Sequence, residues 1–265
     1  MVLALALAGT APRLRAADAL RVTSLKCEYA VDPLGIDVVR PRLFWQVASG
    51  QRGQRQTAWQ VRAATTRELL LAGEADLWDS GRVAGETTTH VRYAGAPLAS
   101  SQRVFWQVRA WDRDDRATEW SGPATWTMGL LDPGDWAGGW IAGPAVAENL
   151  LLRREFTVRP GLRRALVHVS GLGQYELFLN GAKAGADVLS PGWTDYRDTV
   201  LYDTRDVTAL VREGRNAVGL ALGNGMFHVD RPPGRFAKFV GSFGDQRAIL
   251  HLRLEYADGA VAELG

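Results

Sequence analysis

Val104-Phe105-Trp106-Gln107-Val108-Arg109-Ala110-Trp111 sets Val104, Trp106, Val108 and Ala110 against Phe105, Gln107, Arg109 and Trp111 at alternate positions. Side chains of a β-strand change sides at every residue, so this pattern describes a strand with one face buried and the other partly wet. The same alternation recurs upstream. Leu43, Trp45 and Val47 are interleaved with Phe44 and Gln46, and Trp59, Val61 and Ala63 with Gln60 and Arg62. Pro41, Pro97 and Pro123 fall at segment edges, where a missing N–H disturbs no ladder. Across residues 22–129 the spacing predicts about seven short strands, an immunoglobulin-like sandwich without its disulfide, interrupted by one helical turn within 66–75.

Glycine and proline then crowd together in Asp132-Pro133-Gly134-Asp135-Trp136, Gly138-Gly139-Trp140 and Gly143-Pro144, which marks a connector whose tryptophans are expected to pin the flanking modules. Beyond it alternation resumes. Leu152, Arg154, Phe156 and Val158 share one parity, Tyr175, Leu177 and Leu179 stand against Glu176, Phe178 and Asn180, and Val218, Leu220 and Leu222 are separated by Ala and Gly. Asp206-Val207-Thr208 predicts a short helical turn that Gly214 closes. Leu250, Leu252, Leu254 and Tyr256 form a last buried face running into the hairpin dipeptide Asp258-Gly259. The expected organisation is a leader at 1–20, one sandwich at 21–130, a connector at 131–148 and a second sandwich at 149–265. The second is read as incomplete, because the strand returning after Asp258-Gly259 only begins before the sequence stops.

Composition narrows the function classes. With 46% hydrophobic and 23% charged residues the chain is globular, and a formal net charge of +2 argues against nucleic acid or an anionic membrane as partner. No apolar run reaches the roughly 18 residues that span a bilayer. The only cysteine, Cys27, excludes an internal disulfide and reads as a small buried hydrophobe. Residues 1–7 are apolar and are followed by Gly9-Thr10-Ala11-Pro12 and Ala16-Ala17, like the core and cleavage zone of a secretory signal, although the positive start is missing. The expected location is secreted or periplasmic, with the cytoplasm as the alternative.

Several runs, taken in order, resemble the N-terminal region of family 78 glycoside hydrolases, the bacterial α-L-rhamnosidases. In the first module these are Pro41-Arg42-Leu43-Phe44-Trp45, Gln56-Thr57-Ala58-Trp59-Gln60-Val61, Leu77-Trp78-Asp79-Ser80-Gly81, the run from Phe105 to Asp112, and Trp120-Ser121. In the second they are Gly173-Gln174-Tyr175-Glu176-Leu177-Phe178-Leu179-Asn180-Gly181, Leu189-Ser190-Pro191-Gly192-Trp193-Thr194-Asp195-Tyr196, Tyr202-Asp203-Thr204-Arg205-Asp206-Val207-Thr208, and Gly223-Asn224-Gly225-Met226-Phe227. The resemblance implies an all-β chain of two β-sandwich domains. The first would be fibronectin type III-like, the second jelly-roll-like and related to carbohydrate-binding modules. It also implies a following (α/α)-barrel with paired acidic residues for an inverting hydrolysis, and nothing in this sequence has the long amphipathic helices of such a barrel. One departure is Met226-Phe227, where relatives carry Trp-Tyr.

The chemistry readable from the residues is that of binding. Inverting hydrolysis needs carboxylates roughly 6.5–9.5 Å apart, and spacing singles out no pair among the 29 Asp and Glu, so no catalytic residue is assigned and the chain alone is expected to be inactive. A hexose offers an apolar face to an aromatic ring and hydroxyls to amides. Asn180, Trp193 and Asn224 are the candidate sugar-binding residues, with a type I′ turn as the competing role for Asn180-Gly181, loop anchoring for Trp193 and glycine-turn geometry for the Asn224 loop. Some related modules hold calcium beside the sugar, and Asp187, Asp195, Asp198 and Asp203 are the oxygen ligands on offer, against a solvated acidic loop; no other cofactor is expected. His90, His168, His228 and His251 lack metal-ligand spacing, and His168 and His251 are expected as surface histidines on outward strand faces. Ser170 lacks the spacing of a nucleophile elbow, and Arg163-Arg164 and the basic run 231–235 read as solvated loops. The expected partners are rhamnose-containing glycosides or polysaccharide and a catalytic barrel in cis. The alternative is a structural or protein-binding double β-sandwich of a surface protein.

Overall fold

A computed structural model describes residues 19–143, 149–229, 233–236 and 241–265. The leader-like stretch 1–17 and Arg231 of the basic run lie outside the described residues. Two compact bodies divide the chain: the first holds described residues 19–33, 38–97 and 103–126, and the second holds 34–37, 98–102 and 127–265. The chain is all-β, and the second body takes over at Thr127, so that the described part of the expected connector, 131–143, belongs to it.

In the first body β1 (Arg21–Cys27), β2 (Arg42–Ala48) and β6 (Val91–Arg92) form one sheet in the order β1-β2-β6. The second sheet runs β4 (Trp78–Asp79), β3 (Ala58–Ala64), β7 (Arg103–Trp111), β8 (Ala124–Thr127), with β5 (Val83–Ala84) also on β3. The alternating positions face inward as expected: Leu43, Trp45, Val61, Ala63, Val104, Trp106 and Val108 are buried. Trp126 packs edge-on to Tyr93 at 5.7 Å and to Trp106 at 6.2 Å between ring centroids. Each such tryptophan removes 150–250 Å² from water, roughly 4–6 kcal/mol of gross transfer free energy, which is how the body holds together without a disulfide. The helical turn is α1 (Arg67–Ala72), capped by the Thr66 hydroxyl, which accepts from the Leu69 amide, and ended by Gly73 at φ 87°.

In the second body β10 (Asn149–Val158), β15 (Gly214–Gly223), β12 (Gln174–Leu179) and β13 (Ala182–Lys183) form one sheet in that order. The other runs β14 (Asp203–Asp206), β11 (Leu162–Leu172), β18 (Arg247–Tyr256), β19 (Val261–Leu264), with β9 (Ile141–Ala142) also on β18. A short hairpin joins β16 (His228–Val229) to β17 (Gly241–Ser242). Tyr175, Leu177, Leu179, Val218, Leu220, Leu222, Val167, Val169, Leu252 and Leu254 make the core from the inner faces. The turn after β14 is a short 3-10 turn, Thr208–Leu210, with the Asp206 carboxylate accepting from the Thr208 amide at 3.0 Å. Asp258-Gly259 turns the chain into β19 with Gly259 at φ 81°.

Two readings of polar residues need correction. His168 and His251 do lie on the outer face of β11 and β18, but they are 0% and 1% exposed, because residues 98–102 and 132–137 of the same body cover that face. Arg164 is a strand residue, 6% exposed, and donates to Thr127 Oγ1 at 2.8 Å instead of facing water. Trp136 of the connector packs on Tyr202 within this body, at 5.5 Å between centroids.

Candidate functional site

At the end of the second body where β15 finishes, three loops converge through aromatic rings. Tyr196, from the loop between β13 and β14, meets Phe227 at 5.3 Å and Phe243 at 5.4 Å, both near-perpendicular, and Phe227 and Phe243 lie 5.9 Å apart. Edge-to-face contact suits the ring quadrupoles, so the three rings brace the loops against one another. Phe227 is buried beneath, while Phe243 is 49% and Trp193 60% exposed. Asn224 follows β15 directly, and its Oδ1 accepts from Gln246 Nε2. His228 Nδ1 and Ser242 Oγ are 2.7 Å apart across the β16–β17 hairpin. Gly225 is required here: its φ is 53°, and a Cβ would come within 2.8 Å of Gln174 Cγ.

The three sugar-binding candidates therefore separate. The loops of Trp193 and Asn224 are joined by the Tyr196–Phe227 contact. Asn180 sits at the other end of β12, beside Ala217 rather than Gly223. Six strand residues separate those two positions, about 20 Å at 3.3 Å per residue. Its amide serves the fold: Nδ2 donates to Leu210 O at 2.9 Å and Asn216 Oδ1 at 2.8 Å, and Oδ1 accepts from the Ala217 amide at 3.0 Å. With Asn180 at φ 52° and Gly181 at φ 85° between paired Leu179 and Ala182, the dipeptide is a type I′ turn.

The acidic candidates do not assemble a calcium site. Arg205 sits on two of them, paired with Asp187 and 3.5 Å from Asp203. Asp203 also accepts from the Tyr175 hydroxyl, whose pKa rises through burial first and that carboxylate second. Asp195 is chelated by Arg197 at 2.9 and 2.8 Å, and hydrogen bonding to that guanidinium holds its carboxyl below the usual carboxylate range. Asp198 donates its amide to the Asp195 carbonyl at 3.0 Å. Among the described residues no three His, Cys, Asp or Glu converge on one position, whereas calcium takes six to eight oxygens. Asp187, Asp195 and Asp203 meet arginines of the chain itself.

Tyr196, Phe243 and Gln246 were not read as site residues from the sequence, and His228 was read only as a histidine without metal-ligand spacing. Phe243 stands in Gly241-Ser242-Phe243-Gly244-Asp245, where no period exists to read; its only signal is an aromatic ring in a glycine-rich loop.

Comparison with known proteins places both bodies. Residues 22–132 match the model of the Rha78A-like N-terminal immunoglobulin domain, and residues 161–264 match that of the alpha-L-rhamnosidase N-terminal domain. An alpha-L-rhamnosidase of Alteromonas sp. (strain LOR) is 33% identical over 252 residues, covering 89% of this chain and 27% of the relative. The alpha-L-rhamnosidase structure from Dictyoglumus thermophilum superposes with a TM-score of 0.82 at 31% identity, over 92% of this chain and 28% of that one. That of Streptomyces avermitilis, complexed with L-rhamnose, superposes with 0.85 at 25% identity, over 93% and 40%. The chain thus spans between about a quarter and two-fifths of the relatives it matches.

Proposed function

As a chain made of the two N-terminal domains of the α-L-rhamnosidases, we propose, this protein is a non-catalytic accessory region that holds rhamnose-containing glycoside or polysaccharide for a catalytic barrel acting in cis. The observation that carries the sugar-holding part is the loop end of the second body, where half-exposed Phe243 packs on the braced Tyr196 and Phe227 rings, exposed Trp193 lies in the Tyr196 loop, and the Asn224–Gln246 amide pair joins the other two loops. A 6-deoxyhexose presents a methyl group and an apolar ring face to such rings, and its hydroxyls to amides. Rings already fixed by their neighbours lose little freedom when a ligand arrives. Asn180 takes no part in this proposal, since its amide is committed to Leu210, Asn216 and Ala217. Export to the periplasm or medium belongs to the same proposal and rests on the leader-like composition of residues 1–17. Among the described residues no helix is long and apolar enough to cross a membrane.

Calorimetric titration with L-rhamnose tests the site. Trp193→Ala and Phe243→Ala are each expected to weaken binding by about ten-fold, since one stacked ring contributes roughly 1–1.5 kcal/mol. The unfolding midpoint should stay unchanged for Trp193→Ala and fall slightly for Phe243→Ala, which also removes a brace. Absence of heat with the wild-type chain, with or without calcium, would reduce the second body to a spacer. Unaltered affinity in both variants would move the site elsewhere.

A further inference from the structure

The outer face of the β11–β18 pair carries a buried imidazole pair that the proposed function does not use. His168 and His251 are direct cross-strand partners, their rings 5.5 Å apart and nearly perpendicular. The Ala137 amide donates to His251 Nδ1 at 3.1 Å, so the ring's own proton must sit on Nε2. Among the described residues that buried Nε2 has no hydrogen-bond partner; Glu263 Oε1 is 3.7 Å away. His168 lies between two hydroxyls, Thr204 Oγ1 at 2.8 Å from Nδ1 and Ser101 Oγ at 3.1 Å from Nε2. Tyr202 and Trp136 extend the row of rings, Tyr202 standing 6.0 Å from His168 and 5.5 Å from Trp136.

We propose that His251, with His168 beside it, is an acid-sensitive latch that fastens residues 132–137 onto this sheet face while neutral and lets them go when protonated. The two imidazoles respond differently to a proton. Thr204 and Ser101 hydroxyls can turn to accept, so a charged His168 could keep both bonds. His251 cannot keep its bond, because a proton on Nδ1 ends acceptance from the Ala137 N–H, and the charged ring turns instead to the Asp135 backbone, whose hydrogen bond favours it. The opening therefore starts at Ala137.

The surrounding charges set the direction. Burial weighs most and puts the His251 pKa below its ordinary value; Glu263 on β19, a hydrogen bond with the Asp135 backbone and the Asp135 charge favour the charged ring, while Arg253 on its own strand opposes it. For His168 burial is again the largest cause, followed by His251, Arg253 and Arg164, and the pKa falls from 6.5 to about 3. A histidine with a depressed folded pKa stabilises the closed form fully above the unfolded value near 6.5, and that contribution drains away as pH falls toward the folded value. Asp135 is not the sensor. Its carboxyl is held below the usual carboxylate range, chiefly by the Ser100 hydroxyl, so it stays charged between about pH 7 and pH 4.5.

Hydrogen exchange at the Ala137 amide, expressed as a protection factor, reads the latch. Between about pH 7 and pH 4.5 the wild-type protection factor should fall by about ten-fold or more, reversibly. His251→Asn places an amide oxygen near the position of Nδ1 but cannot titrate, and should hold protection constant within about two-fold over the same range. Equal losses in wild type and variant, or constant protection in the wild type, would overturn the latch. Should the variant fail to fold, ring nitrogen shifts of wild-type His251 decide. The Nε2–H tautomer near pH 7, with a titration coinciding with the Ala137 amide shift, supports it; the Nδ1–H tautomer refutes it.

Discussion

Arg109 lies between Trp111 and Trp120, its guanidinium carbon 5.0 Å from one ring centroid and 4.7 Å from the other. Arg62 covers Trp120 at 4.7 Å and Arg82 covers Trp111 at 4.9 Å, so three arginines and two tryptophans alternate across the outer face of the first body's larger sheet. Carboxylates fix the outer rungs, Arg62 pairing with Asp79 at 2.9 Å and Arg82 with Asp115. Each half-desolvated cation–π contact contributes about 0.5–1 kcal/mol. Trp120→Ala removes two of them and should lower stability to urea by about 1–3 kcal/mol. Trp120→Phe keeps a weaker ring and should cost less than about 1 kcal/mol. An alanine variant as stable as the wild type would make the ladder ornamental.

Asn180 gives the second expectation. Its three side-chain hydrogen bonds tie the β12–β13 turn to Leu210, Asn216 and Ala217, and its φ of 52° suits Asn or Gly far better than Ala. Asn180→Ala should cost about 2–4 kcal/mol, the sum of lost bonds and backbone strain, and Asn180→Gly distinctly less. Rhamnose affinity should not change in whatever fraction stays folded. A weakened affinity at unchanged stability would return Asn180 to the sugar site.

How far the sequence could be read follows from what period two encodes. The inward set Val104, Trp106, Val108 and Ala110 was legible, as was the buried face of Leu252, Leu254 and Tyr256, because alternation states which side of a strand a residue takes. It does not state what lies over that side. His168 and His251 have outward parity, and only contacts from residues 98–102 and 132–137 bury them. The turn at Asn180-Gly181 was visible in the dipeptide, but its bond to Asn216, 36 positions away, was not. Trp193 and Asn224 were visible as loop residues. Their meeting through Tyr196, Phe227 and Phe243 depends on loop conformations without any repeat.

Arg205 yields a prediction about metal. Its guanidinium stands on Asp187 and Asp203, and hydrogen bonding to it keeps the Asp187 carboxyl below the usual carboxylate range. Arg205→Ala takes away the guanidinium between Asp187 and Asp203, leaving Asp203 bonded to the Tyr175 hydroxyl and Asp187 under the weaker influence of Lys183. Millimolar calcium should then raise the melting temperature of the variant by a few degrees, as any ligand of the native state does, and leave the wild type unmoved. A wild-type response matching the variant's would show that oxygen ligands assemble elsewhere.

Cys27 closes β1, the edge strand of the first body's smaller sheet, opposite Leu43. It is 1% exposed, and burial foremost, with the neighbouring Glu28 carboxylate second, pushes its thiol pKa well up. Only the thiolate reacts with disulfide reagents, so near pH 8 the native chain should be labelled about a thousand-fold more slowly than the unfolded chain. What reaction remains should report β1 leaving β2. That departure is restrained at this end by Glu28, which accepts from the Arg42 backbone amide at 2.5 Å and from Arg42 Nε at 3.0 Å. Glu28→Ala relieves the charge beside the thiol, a small effect, but removes the clasp, a large one, so labelling should accelerate by about ten-fold or more. If the clasp matters less than the charge, the same variant will change the pH dependence of labelling and not its rate at high pH, where thiolate formation no longer limits the reaction.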